Sequence, residues 1–265
     1  MKGMRPILAA TLLGLILWPA GAGADCQQGN CQNGIGTSID REGAVYEGAF
    51  HDGLPQGEGS LRNPDGSVYQ GQLVKGRFHG RGTLVSKDGR RYVGTFADGV
   101  IHGQGNLTLA NGMEYRGEFE QGALNGQGHL FYPDGREYSG DFRSGVIQGK
   151  GKMLYPDGSS FEGVFFNGKP AGQGIRRYLD GSHYTGTYID NRREGQGLLE
   201  GADNSRYEGG FHHDLFEGQG ILTRADGSVQ RGTFRQGVLV PPVGQLPDQP
   251  VRPGEDPGAP ARGPE

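Results

Sequence analysis

What this chain lacks narrows its function before any motif is read. It has two cysteines, Cys26 and Cys31, spaced C-x-x-x-x-C with no second ligand pair. That spacing speaks against a C-x-x-C redox site or a cysteine-based zinc site. It has one tryptophan, Trp18, close to the N-terminus. No segment after residue 24 has the 3.6-residue apolar period of a helix, and only 33% of the residues are hydrophobic. A globular enzyme of this length would bury more. There is no nucleophile elbow, no Ser-Xaa-Xaa-Lys and no His-Glu-Xaa-Xaa-His. Positive charge is also short. Without Lys2 and Arg5 the chain carries 24 basic against 30 acidic residues, a net charge of −6. Nucleic acid is a poor partner for that balance.

What the chain has in abundance is glycine, 53 residues of it, in register. Tyr46, Tyr69, Tyr92, Tyr115, Tyr138, Phe161, Tyr184 and Tyr207 follow one another at intervals of 23 residues. Two positions after each comes a glycine, and two further an aromatic or aliphatic residue such as Phe119 or Phe142. A Gly-x-Gly pair recurs (Gly57/Gly59 through Gly218/Gly220), and an Asp-Gly or near equivalent closes most units. A fixed period of this length signals a repeat architecture. Aromatic-x-Gly-x-aromatic has period 2, which puts both rings and the glycine on one strand face. The glycine leaves a slot that a ring covers across the sheet. Gly128–Tyr132 reads as a second short strand, Gln121–Gln127 as a turn, and Tyr132-Pro133-Asp134-Gly135 as a β-turn with proline second. Each unit is then a β-hairpin.

The motifs Tyr46-Glu47-Gly48, Tyr207-Glu208-Gly209 and the Pro-Asp-Gly turns resemble the MORN repeat, the membrane occupation and recognition nexus. The resemblance covers Cys26 to Val240, with Phe where the family often has Trp. It implies an all-β fold, an elongated single-sheet β-meander of stacked 23-residue hairpins. Two strands per hairpin at about 4.8 Å each give eight units a length of roughly 80 Å. Family members that are enzymes carry a separate catalytic domain, which this chain has no room for, so the expectation is a non-enzyme without cofactors.

Around this array the chain divides further. Residues 1–24, with Lys2 and Arg5 before the apolar run Ile7–Trp18 and small residues to Ala24, read as a secretory signal peptide of bacterial type. The run is short for a membrane span. Residues 25–45 align with half a repeat and form an N-terminal cap. In an oxidising compartment Cys26 and Cys31 pair within it. Residues 46–229 hold the eight repeats, 230–240 a closing partial repeat, and 241–265 a Pro- and Gly-rich disordered tail. The expected location is the periplasm or the extracellular space.

Candidate sites are few. Gly-x-Gly without a following helix is no nucleotide loop, and one Asp per turn suits an Asx turn better than calcium. His79 and His102 share a slot about 10 Å apart, and His212 and His213, if in a strand, point to opposite faces. No metal site is expected. Two surfaces remain. One is the aromatic row Tyr115, Phe119, Tyr132, Tyr138, Phe142, Tyr155 and Tyr178, which is core and, along its hydroxyl edge, a trough for a peptide or glycan. The other is an apolar patch, Phe131, Leu154, Ile175, Leu198 and Ile221, away from the aromatic row and suited to a protein partner or a second copy. Lipid surfaces are disfavoured, because the first-strand positions on that face (Glu47, Arg116, Glu118, Asp141, Glu162, Glu208) are mostly acidic. The function expected is an exported scaffold for protein interaction or assembly. A membrane-binding module and a glycan-binding adhesin are the alternatives.

Overall fold

The structure, a computed structural model, describes residues 24–241. The leader at 1–24 and the tail at 241–265 lie outside the described residues, Ala24 and Pro241 excepted. The described residues form one sheet of 20 strands and no helix. Each strand pairs antiparallel with its predecessor and its successor in sequence. The all-β meander of hairpins expected from the repeat is the fold.

The unit beginning at Tyr115 shows why these residues build it. A seven-residue strand, Glu114–Glu120, is followed by a nine-residue strand, Ala123–Phe131. The turn between them is only Gln121-Gly122, with φ of 48° and 77°. Positive φ at both central residues is the type I′ turn that matches strand twist. The turn read over Gln121–Gln127 is therefore shorter than expected, and the second strand begins five residues before Gly128. The longer strand keeps pairing with its shorter neighbour because it bulges. Asn125 pairs with Glu118 but Gly128 with Gly117, so two extra residues are accommodated. Gly126 sits in that bulge at φ 58°, a conformation that suits glycine. At the far end Tyr132 N–H donates to Arg136 O (2.9 Å), Gly135 N–H donates to Tyr132 O (3.0 Å), and the Asp134 carboxylate accepts Arg136 N–H (3.1 Å).

The two glycines of Gly-x-Gly thus have different tasks. Gly126 bends the strand. Gly128 makes room, since a Cβ there would stand 2.4 Å from the Tyr115 ring. Tyr115 lies over Gly117 and Gly128, and its hydroxyl donates to Glu118 O (2.9 Å), a carbonyl beside the bulge. Tyr115 meets Phe119 edge-to-face at 5.1 Å and Phe142 of the next unit at 4.9 Å. The contact continues from unit to unit through Tyr138–Phe165, Phe161–Tyr188, Tyr184–Phe211 and Tyr207–Phe234. Each such pair adds about 0.5–1.5 kcal/mol beyond burial. Leu130, across from both Tyr115 and Tyr138, fills the space between rings. The core is therefore a stripe along one face of the sheet, each layer held by its neighbours.

At the N-terminal edge Asp25–Gly29 pairs with Gly34–Ile39, and Cys26 and Cys31 form a disulfide across that turn, Cα–Cα 5.8 Å.

Candidate functional site: a polar trough opposite the aromatic face

Residues alternating with the aromatic stripe project from the other face. There they line a trough of about 1360 Å³ running across the strands from Val93 to Thr185. The first strand of each hairpin supplies Arg116 and Glu118, Ser139, Glu162 and Val164, and the second supplies Gln104 and Asn106, Gln127 and His129, Lys150 and Lys152, Gln173 and Ile175. The backbone of the paired glycines completes the floor. Carboxamides recur at the x of Gly-x-Gly and are held in place. Gln127 donates to the Asp141 carboxylate, whose second oxygen accepts Lys150 N–H (2.7 Å). Gln173 donates to Thr187 Oγ1 (2.7 Å), and Gln219 to Thr233 Oγ1 in the same way (2.7 Å). Lys150 and Lys152 have no salt-bridge partner among the described residues.

The aromatic row does not line this trough. Tyr115, Phe119, Tyr132, Tyr138 and Phe142 are buried, and Tyr155 and Tyr178 pack half-buried against them. Their face is the core, and the repeat tyrosines spend their hydroxyls on backbone carbonyls, as Tyr138 does on Asp141 O (3.1 Å). Burial pushes the Tyr46, Tyr92 and Tyr184 hydroxyls up to about 12. A hydroxyl-edged trough is thus replaced by an amide-edged one on the opposite face.

The apolar residues divide. Ile175, Leu198 and Ile221 stand in one line across the sheet, with Thr185 and Glu208 on the strands between them. All three are half-buried, and Ile175 closes one end of the trough. Phe131 and Leu154 belong to the adjacent line, both facing Glu137. Phe131 lies under the Arg116 guanidinium at 5.2 Å, while Leu154 is exposed. The acidic excess read from the first strands is also local. The second strands add Lys150 and Lys152, so the trough holds Arg116 and two lysines against Glu118 and Glu162.

Two features escape the repeat reading. Arg176 stands where other units have Leu or Met facing the aromatic stripe, opposite Phe161 and Tyr184, its guanidinium 4.0 Å from the Tyr155 ring. The alternation could have shown it, since Ile175-Arg176 reverses the order of Lys152-Met153. The second is the histidine pair. His212 ends a strand but His213 enters the I′ turn at φ 49°, so the rings lie 4.0 Å apart on one side. The opposite-face arrangement expected of two residues in a strand does not apply, because the strand stops between them. Glu194 joins both, with Oε2 3.2 Å from His212 Nδ1 and Oε1 3.7 Å from His213 Nε2.

An open array of hairpins sharing one aromatic stripe defines a β-repeat protein rather than a closed barrel or sandwich. The sequence matches the MORN repeat over residues 46–68, 69–90, 92–114, 115–135, 138–160, 161–183, 184–206 and 207–229. The chain belongs to the MORN-repeat family, whose repeats are commonly protein- or membrane-interaction modules. No curated protein matches the chain. Among solved structures it is similar to the TCP domain of SAS-4 from Drosophila melanogaster, at 12% identity and TM-score 0.38, covering 67% of this chain and 90% of that one. It is also similar to the TCP10 domain of CPAP from Danio rerio, at 15% identity and TM-score 0.34, covering 74% and 93%.

Proposed function

We propose that the chain is an exported, non-catalytic scaffold that holds an extended polypeptide in its trough, serving assembly in a bacterial envelope or outside the cell. The observation that carries this reading is the trough itself. Amides and charges recur on adjacent strands about 4.8 Å apart, and from unit six on the residue after each Gly-x-Gly becomes apolar, Ile175, Leu198 and Ile221. An extended chain lying across the strands meets hydrogen-bonding side chains at regular intervals and an apolar anchor at one end. The leader-like residues 1–24 and the Cys26–Cys31 disulfide support export. Two unpaired lysines fall short of the basic cluster that anionic lipid requires, and the aromatic surface a glycan would stack on is buried.

The test uses the full chain and three trough variants: Lys150→Glu with Lys152→Glu, Gln127→Ala with Gln173→Ala, and Ile175→Lys with Leu198→Lys. A partner recovered from the native envelope should bind each variant at least about tenfold more weakly, about 1.4 kcal/mol, with melting unchanged. Equal binding by all three would end the trough reading. Doubled mass in light scattering, lost in the Ile175/Leu198 variant, would make the occupant a second copy of this chain. Sedimentation with anionic vesicles would point to a membrane instead. Processing after Ala24, read by intact mass, tests export.

A further inference from the structure

Glu194, His212 and His213 present one carboxylate and two imidazoles whose donor atoms all lie within 4.8 Å of one another. They come from two successive units. Glu194 stands near the start of Arg192–Glu200, and the histidines sit where Arg206–His212 turns into the next strand. Part of this arrangement is generic. Gln56 Oε1 accepts Lys75 N–H (3.1 Å) and Glu217 Oε2 accepts Gln236 N–H (2.9 Å), just as Glu194 Oε1 accepts His213 N–H (2.9 Å). The side chain at this slot caps the following turn. What the cap leaves unexplained is the rest: a second carboxylate oxygen facing His212 Nδ1 at 3.2 Å, and two rings beside it, 4.0 Å apart and tilted by 44°. No other unit has histidine both at the end of the first strand and at the first turn position.

We infer that Glu194, His212 and His213 form a binding site for a divalent transition-metal ion of zinc's class, clipping two adjacent hairpins together. Ligands about 2.0–2.2 Å from such an ion stand about 3.3 Å apart at tetrahedral angles; His212 Nδ1 is 3.2 Å from Oε2, His213 Nε2 is 3.7 Å from Oε1, and one donor from each residue falls within 4.8 Å, so turning the exposed rings closes the set on one ion. Imidazole and carboxylate are the donors this class of ion takes. Glu194 is ready for the charge. Its side chain is 14% exposed, and hydrogen bonding by His213 N–H, then by His212, holds its carboxyl below the usual range. The rings are exposed, at 61% and 57%. Neighbouring Arg193 points to the opposite face, over the Phe211 ring at 5.2 Å and bonded to Asp214. It therefore leaves the carboxylate free. Three ligands leave a fourth position for water.

Titration calorimetry of the full chain with zinc tests the site. The expected result is one strong ion per chain. Glu194→Gln keeps the cap, as Gln56 does, and His213→Asn keeps the left-handed turn. Each variant, and His212→Gln, should bind at least about tenfold more weakly, since even outer-shell partners of a metal cost about 10–100-fold. All three should melt like the parent without metal. His79→Gln with His102→Gln should change nothing. No binding by the parent chain, or equal binding by the three site variants, would overturn the assignment.

Discussion

Units four and five turn His129 and Lys152 toward the trough and Leu130 and Met153 toward the rings, whereas unit six turns Ile175 to the trough and Arg176 to the rings. A slip by one residue would produce this exchange, but the register does not slip. Met153 pairs with Phe161 and Arg176 with Tyr184, equivalent positions in successive units. Glycines beneath the rings and bulges on the second strands fix each hairpin, so chemistry changes while the backbone stays. The repeat therefore specifies the scaffold, and departures from it change the chemistry each stretch of surface presents.

That comparison can be broken in several ways, the most complete being alkali. Tyrosines buried on the aromatic face have folded pKa values above the unfolded value of about 10. Their contribution is intact below that pH and is lost as pH climbs toward about 12, the folded value at Tyr46, Tyr92 and Tyr184. Circular dichroism against pH should show cooperative loss of the sheet there, in step with tyrosinate absorbance near its own band; ionisation at ordinary pH with the sheet intact would mean the rings are exposed.

Gly128→Val should be next in size. Its Cβ would collide with Tyr115 at 2.4 Å, and overpacking of this kind costs about 1–3 kcal/mol or more, readable as a shift in urea midpoint. Gly126→Ala should cost about 1–2 kcal/mol through its left-handed backbone. Arg176→Leu makes unit six resemble its neighbours. Because Arg176 Nε is buried without a partner, this change should stabilise by about 1 kcal/mol; equal destabilisation would show that the stack on Tyr155 outweighs that defect. Acid should have the smallest effect. Hydrogen bonds from Ser159 hold the Asp157 carboxyl below its usual value. That contribution is present above the unfolded pKa of about 4 and lost as pH falls through the folded one. Asp157→Asn should flatten the acid limb of the melting curve slightly.

Most of the fold could be read from residues, since period 2 within a 23-residue period leaves few alternatives. The second strand was read too short because Gly126 resembles a turn glycine, and only pairing reveals it as a bulge. The trough was missed for a related reason. Its amides occupy the x of Gly-x-Gly, Gln104, Gln127 and Gln173, where glycine draws the eye, and the rings opposite resemble a binding surface until their burial is known. Ile175, Leu198 and Ile221 stood out because they stop repeating. His212-His213 stood out too, but not the side they share with Glu194, because side-chain direction depends on where the strand ends.

The central claim is that one face is core and the other binds. Photo-crosslinking residues placed at Gln104, Gln127 and Gln173, with Lys87 and Asn111 in exposed turns as controls, test it in the native envelope. Adducts to one protein are expected from the trough positions and none from the turns. Adducts from the turns alone, with the trough positions silent in a folded chain, would contradict it.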